Sequence, residues 1–176
     1  MEDQASSKNI MLNYGFIYGL VLIITSVVIY AMNLHYDRIG AFTGLAILVI
    51  SILLFPILGL AKFKRDNMNI MSWGQAVKIG MGIIILGTLI NIAYTFLFSE
   101  IIEPSYNETI LQMQENELIA AEKFTPEQID QQIEISSMFQ GTVLGASVGI
   151  LFFAFIGFVI SAIAGAIMKR TEEEGY

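Results

Sequence analysis

The sequence predicts an all-α, polytopic membrane protein: four transmembrane helices, with an extracytoplasmic helical hairpin continuous with the last of them. Three observations predict it. Only 14% of the 176 residues are charged and 55% are hydrophobic, where a soluble domain carries charge on about a quarter of its residues. Residues 9–34, 41–61, 79–99 and 135–168 contain no Asp, Glu, Lys or Arg, and each matches or exceeds the roughly 20 residues that cross a ~30 Å hydrocarbon layer. Between them lies one sizeable polar segment, 99–140, whose residue pattern is helical. Four spans and one loop use up residues 1–176, which leaves no room for a separate soluble catalytic domain and makes the chain a single membrane domain.

The first span is expected at about 10–34. It is too long for a signal peptide, its leading MEDQASSK is acidic as well as basic, and no small-residue cleavage pattern follows, so it reads as a retained span. Gly15 and Gly19 give it a single GxxxG, a weak helix-packing signal. The second span, 41–61, contains Pro56, which removes one backbone hydrogen bond and predicts a kink. The third, 73–98, has a start signal in Ser72-Trp73-Gly74-Gln75: serine caps the helix while Gln75 reaches back, and Trp73 falls at headgroup level.

Basic residues set the orientation. With the N-terminus inside, the inner segments hold Lys8, Lys62, Lys64, Arg65, Lys78, Lys169 and Arg170, and the outer ones hold only Arg38 and Lys123. Seven against two places both termini in the cytoplasm, and the acidic residues Glu2, Asp3 and Glu172 to Glu174 contribute little to this rule.

The outer segment carries nine acids (Glu100, Glu103, Glu108, Glu115, Glu117, Glu122, Glu127, Asp130, Glu134) against Lys123, a net of −8. Its hairpin is expected over 105–140. One helix follows Pro104 and runs from Tyr106 to Lys123, with Ile110, Leu111, Met113, Leu118 and Ile119 as its apolar residues. The second opens at Thr125-Pro126-Glu127-Gln128, a threonine cap followed by proline at the first helical position. No proline follows, so one unbroken helix is predicted from Pro126 to about Met168, roughly 64 Å long at ~1.5 Å per residue. Ile129, Ile133 and Phe139 would pack its projecting part against the first hairpin helix. The hairpin either merely closes the loop or offers an interaction surface.

The fourth span, 141–168, contains the most patterned stretch. Gly141, Gly145, Gly149, Phe153, Gly157, Ser161 and Gly165 recur every fourth residue, and all but Phe153 are small. Such a row lets helix backbones approach closely in lipid. It serves either the protein's own four-helix bundle or a face for a second copy or another membrane protein. Asn91 in the third span is the best candidate for an interhelical hydrogen bond.

The absences exclude much. Zero cysteines rule out disulfides and thiolate metal sites, one histidine (His35) rules out any site needing two, and a net charge of −7 argues against nucleic acid as a partner. The four charge-free cores hold none of the ionisable groups that pumps and transporters place inside the membrane. No catalytic residue, cofactor site or metal site is expected. The outer acids read as a solvated face, and the KFKR run at Lys62 to Arg65 suits anionic headgroups of the inner leaflet.

The glycine-containing first span, SWGQAVKIG at Ser72 to Gly80 and TPEQIDQ at Thr125 before a long last span together resemble one family. It is the uncharacterised inner-membrane family catalogued as domain of unknown function 4199, found mainly in Bacteroidota, and the resemblance covers about residues 8–170. It implies a topology and a bacterial inner-membrane setting, with 99–140 periplasmic, but no mechanism. It also implies neighbouring genes for a membrane glycosyltransferase acting on polyprenyl phosphates, which makes such an enzyme one candidate partner. The reading is therefore a non-enzymatic accessory or scaffold protein whose partners are the lipid bilayer and a second copy or another membrane protein. The alternatives are a small oligomeric transporter or channel, and an enzyme or enzyme subunit acting on lipid-linked substrates.

Overall fold

The first helix starts at Ser6, whose side-chain oxygen accepts the Asn9 amide at 3.3 Å. The computed structural model describes residues 6–170, so the terminal acids Glu2, Asp3 and Glu172 to Glu174 lie outside the described residues. Helix α1 spans Ser7–Ala31, α2 Arg38–Asp66, α3 Trp73–Leu97, α4 Tyr106–Ala120, α5 Pro126–Phe139 and α6 Val143–Met168. A π-helical turn, Phe98–Ile102, extends α3. The described residues contain no strand, only one isolated bridge between Met71 and Arg170. Helices α1, α2, α3 with its π turn, and α6 are long and apolar enough to cross a membrane. The protein is a multi-pass, all-α membrane protein.

The spans differ from their expected bounds for local reasons. Helix α1 stops at Ala31 rather than Leu34 because Asn33 turns left-handed (φ 55°) and the Leu34 amide bonds back to the Ile29 carbonyl at 3.0 Å. Helix α2 runs beyond 41–61 at both ends. Asp37 accepts the Ile39 amide at 3.0 Å, and the last turn is braced by a Lys62–Asp66 ion pair of 2.7 Å at i,i+4 spacing. The charge-free run thus marks the hydrocarbon-crossing part of α2, not the whole helix. Both predicted starts are reciprocal capping boxes. Ser72 Oγ accepts the Gln75 amide at 3.2 Å while Gln75 Oε1 accepts the Ser72 amide at 2.8 Å; Thr125 and Gln128 repeat this at 3.3 and 2.9 Å.

The expected unbroken helix from Pro126 to Met168 does not form. It breaks at 140–142, where Gln140 is extended (ψ 115°) and Gly141 takes φ +68°. Thr142 stabilises the break from both sides. Its hydroxyl donates to the Met138 carbonyl (2.6 Å), closing α5, and accepts the Gly145 amide (3.1 Å), opening α6. Gly141 is the residue that the left-handed turn requires, since a side chain there would be strained and would also strike the Asn107 amide.

Two units are distinguishable. One comprises residues up to Asn91 and those from Ile150 onward; the other is Ile92–Gly149. In the first, two apolar clusters form the core. Ile10, Leu60, Phe63, Met71, Ala76, Ile79, Ile83 and Ala164 make one. Tyr18, Leu22, Ile52 and Ile84 make the other, with Phe153, Ile156 and Ile160 packed beside them. Gly15 and Gly19 receive α3 closely: a Cβ at either would lie 2.9 Å from Leu86 or Ile90. In the second unit α4 packs against α5, and Gln140 Nε2 donates to Asn107 Oδ1 at 3.3 Å.

Candidate functional site

The small-residue row of α6 does not act as one surface. Its lower part meets α3 in register: Gly157 lies against Ile84, Ser161 against Gly80, and Gly165 against Ala76. Both rows step by four residues in opposite chain directions, so each small residue receives the neighbour of its own turn. Trp73 joins this seam. Its indole N–H donates to the Ala162 carbonyl at 3.0 Å, so part of the ring that reads as a headgroup anchor is used in helix pairing.

The upper part of the row is placed differently. Gly149 has nothing within 4 Å of the position a Cβ would take. Gly145 sits in the first turn of α6, facing its own chain at the Phe139 carbonyl, and Gly141 is the helix break. Asn91 is half-buried on α3. The structure therefore brings Gly157, Ser161 and Gly165 together on one seam and leaves Gly141, Gly145, Gly149 and Asn91 elsewhere.

Ser161 Oγ on the seam and Tyr18 Oη in the second core cluster are buried with no hydrogen-bond partner among the described residues. Tyr18 lays its ring over Gly87 and 5.9 Å from that of Phe55. Sequence reasoning passed over it, since a tyrosine in a span reads first as an interfacial residue.

In the second unit a notch of about 430 Å³ between α4 and α5 is lined by Gln114, Glu117, Leu118, Gln132 and Ser136. It can hold a hydrogen-bonding group, but its single carboxylate makes no acid–base pair of the kind that glycoside chemistry uses. No three metal-ligating side chains cluster among the described residues. In the first unit an entirely apolar groove of about 340 Å³ runs between α2 and α6.

The hairpin departs from expectation on one face. Ile129 is buried (8% exposed) and Ile133 half-buried, as the expected packing surface requires, but Phe139 is 42% exposed. At 100° per residue Phe139 points well away from Ile129 and Ile133. It lies instead with Ile135 and Met138, also exposed, on a second apolar stripe across the helix. No residue of α4 is buried.

A family model described as Protein of unknown function (DUF4199) matches residues 13–170. No curated protein and no solved structure matches the chain.

Proposed function

The chain belongs to the family of that model, DUF4199, and on that footing we propose that it is a non-enzymatic accessory or scaffold protein of the bacterial inner membrane. Both termini lie in the cytoplasm and residues 99–140 in the periplasm, a reading supported by the seven-to-two distribution of basic residues. The partner is a second copy of the chain or another membrane protein, a membrane glycosyltransferase among them.

The observation that carries this reading is the second apolar stripe of α5. Helix α5 is short and polar, yet Ile135, Met138 and Phe139 stand exposed, off the face that carries the buried Ile129. An amphipathic helix needs one apolar face to pack and gains nothing from a second unless something covers it. The free space at Gly149, ten residues along the chain from Phe139, extends the same argument into α6.

Affinity capture from native membranes after cross-linking tests it. Ile135→Lys with Met138→Lys is expected to abolish recovery of the partner while the amount of folded protein in the membrane is unchanged. Undiminished recovery from that variant refutes the stripe as the docking face. A single outer Glu→Gln change that destroyed function, with folding and recovery intact, would refute the scaffold reading itself.

A further inference from the structure

We propose that the groove between α2 and α6 binds one anionic phospholipid, with an acyl chain along the groove and the phosphate at the basic cluster where the groove ends. The groove is lined by Leu53 and Ile57 of α2 and by Ile160, Ile163, Ala164 and Ile167 of α6, with no polar lining atom. In a membrane-spanning unit that surface faces hydrocarbon, so its occupant is a lipid chain rather than water. The basic residues give that lipid a sign.

Lys64 lies seven residues beyond Ile57 and therefore on the same face of α2, at the groove's end, half-buried. Lys169 and Arg170 follow directly on Met168 at the corresponding end of α6. Their backbone is fixed: Arg170 exchanges two hydrogen bonds of 3.0 Å with Met71, which ties the end of α6 to the link between α2 and α3. Lys62 and Arg65 are already occupied by Asp66, at 2.7 and 3.7 Å. Lys64, Lys169 and Arg170 form no ion pair among the described residues, which leaves three positive charges for a headgroup phosphate. An apolar slot that ends at a basic cluster matches a single anionic lipid on both counts, and a basic pocket between transmembrane helices is a recurrent site for such headgroups. The inference depends on the four helices spanning a membrane, not on the scaffold reading.

The test uses the purified full-length protein in detergent, given equimolar phosphatidylglycerol and phosphatidylcholine of identical acyl chains, with bound lipid read by native mass spectrometry. The expected result is preferential retention of one phosphatidylglycerol. Lys64→Gln and Arg170→Gln should each lower that preference about fivefold, the usual worth of one cation beside an anionic surface. Lys78→Gln, which removes a charge from exposed α3 surface outside the groove, should leave it unchanged. Ile163→Trp, which fills the groove without touching a charge, should abolish the preference as well, because chain and headgroup share one site. Thermal melting checks each variant, and Ile167→Trp, at an even more exposed groove position, replaces Ile163→Trp if the latter fails to fold. A preference that survives filling of the groove, or loss of both cations, overturns the proposal, as does a co-purifying protein helix seated on that face.

Discussion

Gly80→Ala tests the α3–α6 seam directly. A Cβ at Gly80 would strike the Ser161 hydroxyl, stand 2.7 Å from the Ser161 Cβ and touch the Pro56 Cβ at 3.5 Å. Neither neighbour has a flexible end that could swing aside: one is a fully buried serine, the other a buried proline ring. Overpacking of this kind costs ~1–3 kcal/mol. For a chain of this length each kcal/mol is worth about 2–4 °C of melting temperature, so a fall of about 2–12 °C is expected. Ser161→Gly removes both offending atoms, and the double variant should recover most of the loss, with a coupling energy of ~0.5–3 kcal/mol. Thermal unfolding in detergent, followed by circular dichroism and by the folded fraction on size exclusion, measures all four corners of the cycle. Gly74→Ala is the control, since a Cβ there meets nothing within 4 Å. Equal losses for Gly74→Ala and Gly80→Ala, or zero coupling with Ser161→Gly, would refute the packing argument.

Gly141→Ala should destabilise the protein by ~1–2 kcal/mol in the same melting assay, the cost of a side chain at left-handed φ, and more if Asn107 cannot yield. Thr142→Val, which keeps the shape but loses the capping oxygen, should cost ~1 kcal/mol and increase amide hydrogen exchange around 138–145. Gly149→Leu enters free space and should melt within ~0.5 kcal/mol of the parent, yet reduce recovery of partner on affinity capture; a large drop in melting temperature would contradict the open position. Single cysteines at Asn107 and Asn67 should react with an impermeant reagent from outside and only after permeabilisation, respectively, in intact cells. The reverse pattern would overturn the orientation.

Much of the fold was legible because lipid simplifies the code. Charge-free runs locate the spans, since a charged side chain in hydrocarbon is costly, and the Ser72/Gln75 and Thr125/Gln128 pairs announce helix starts by chemistry local to four residues. What escaped depends on distant partners. Gly141 belongs to the same four-residue row as Gly157 and Gly165, and nothing local marks it as a break. Its left-handed turn is held by the Thr142 hydroxyl and crowded by Asn107, 34 residues earlier in the chain. The row's division has the same origin. Gly157 and Gly149 are equivalent on α6 itself, and only what stands opposite distinguishes them. Gly15 and Gly19 looked like the weaker motif because their counterparts, Leu86 and Ile90, are unremarkable in sequence. The bridge between Met71 and Arg170 uses backbone atoms alone, so no side chain announces it.

The register of the seam imposes an order on biosynthesis. Gly80 and Ser161 are 81 residues apart, so at ~5–20 residues per second of synthesis α3 waits roughly 4–16 s for its mate. Throughout that interval the row of Ala76, Gly80 and Ile84 lies open in the bilayer, a landing strip for any helix with small residues at matching intervals. Helix α6 must find its slot among three helices already inserted, and only then can Arg170 fasten onto Met71 behind it. A defect in α6 such as Gly157→Leu therefore damages more than one contact: it strands a three-helix intermediate with an adhesive face uncovered, the form that quality-control proteases are placed to remove.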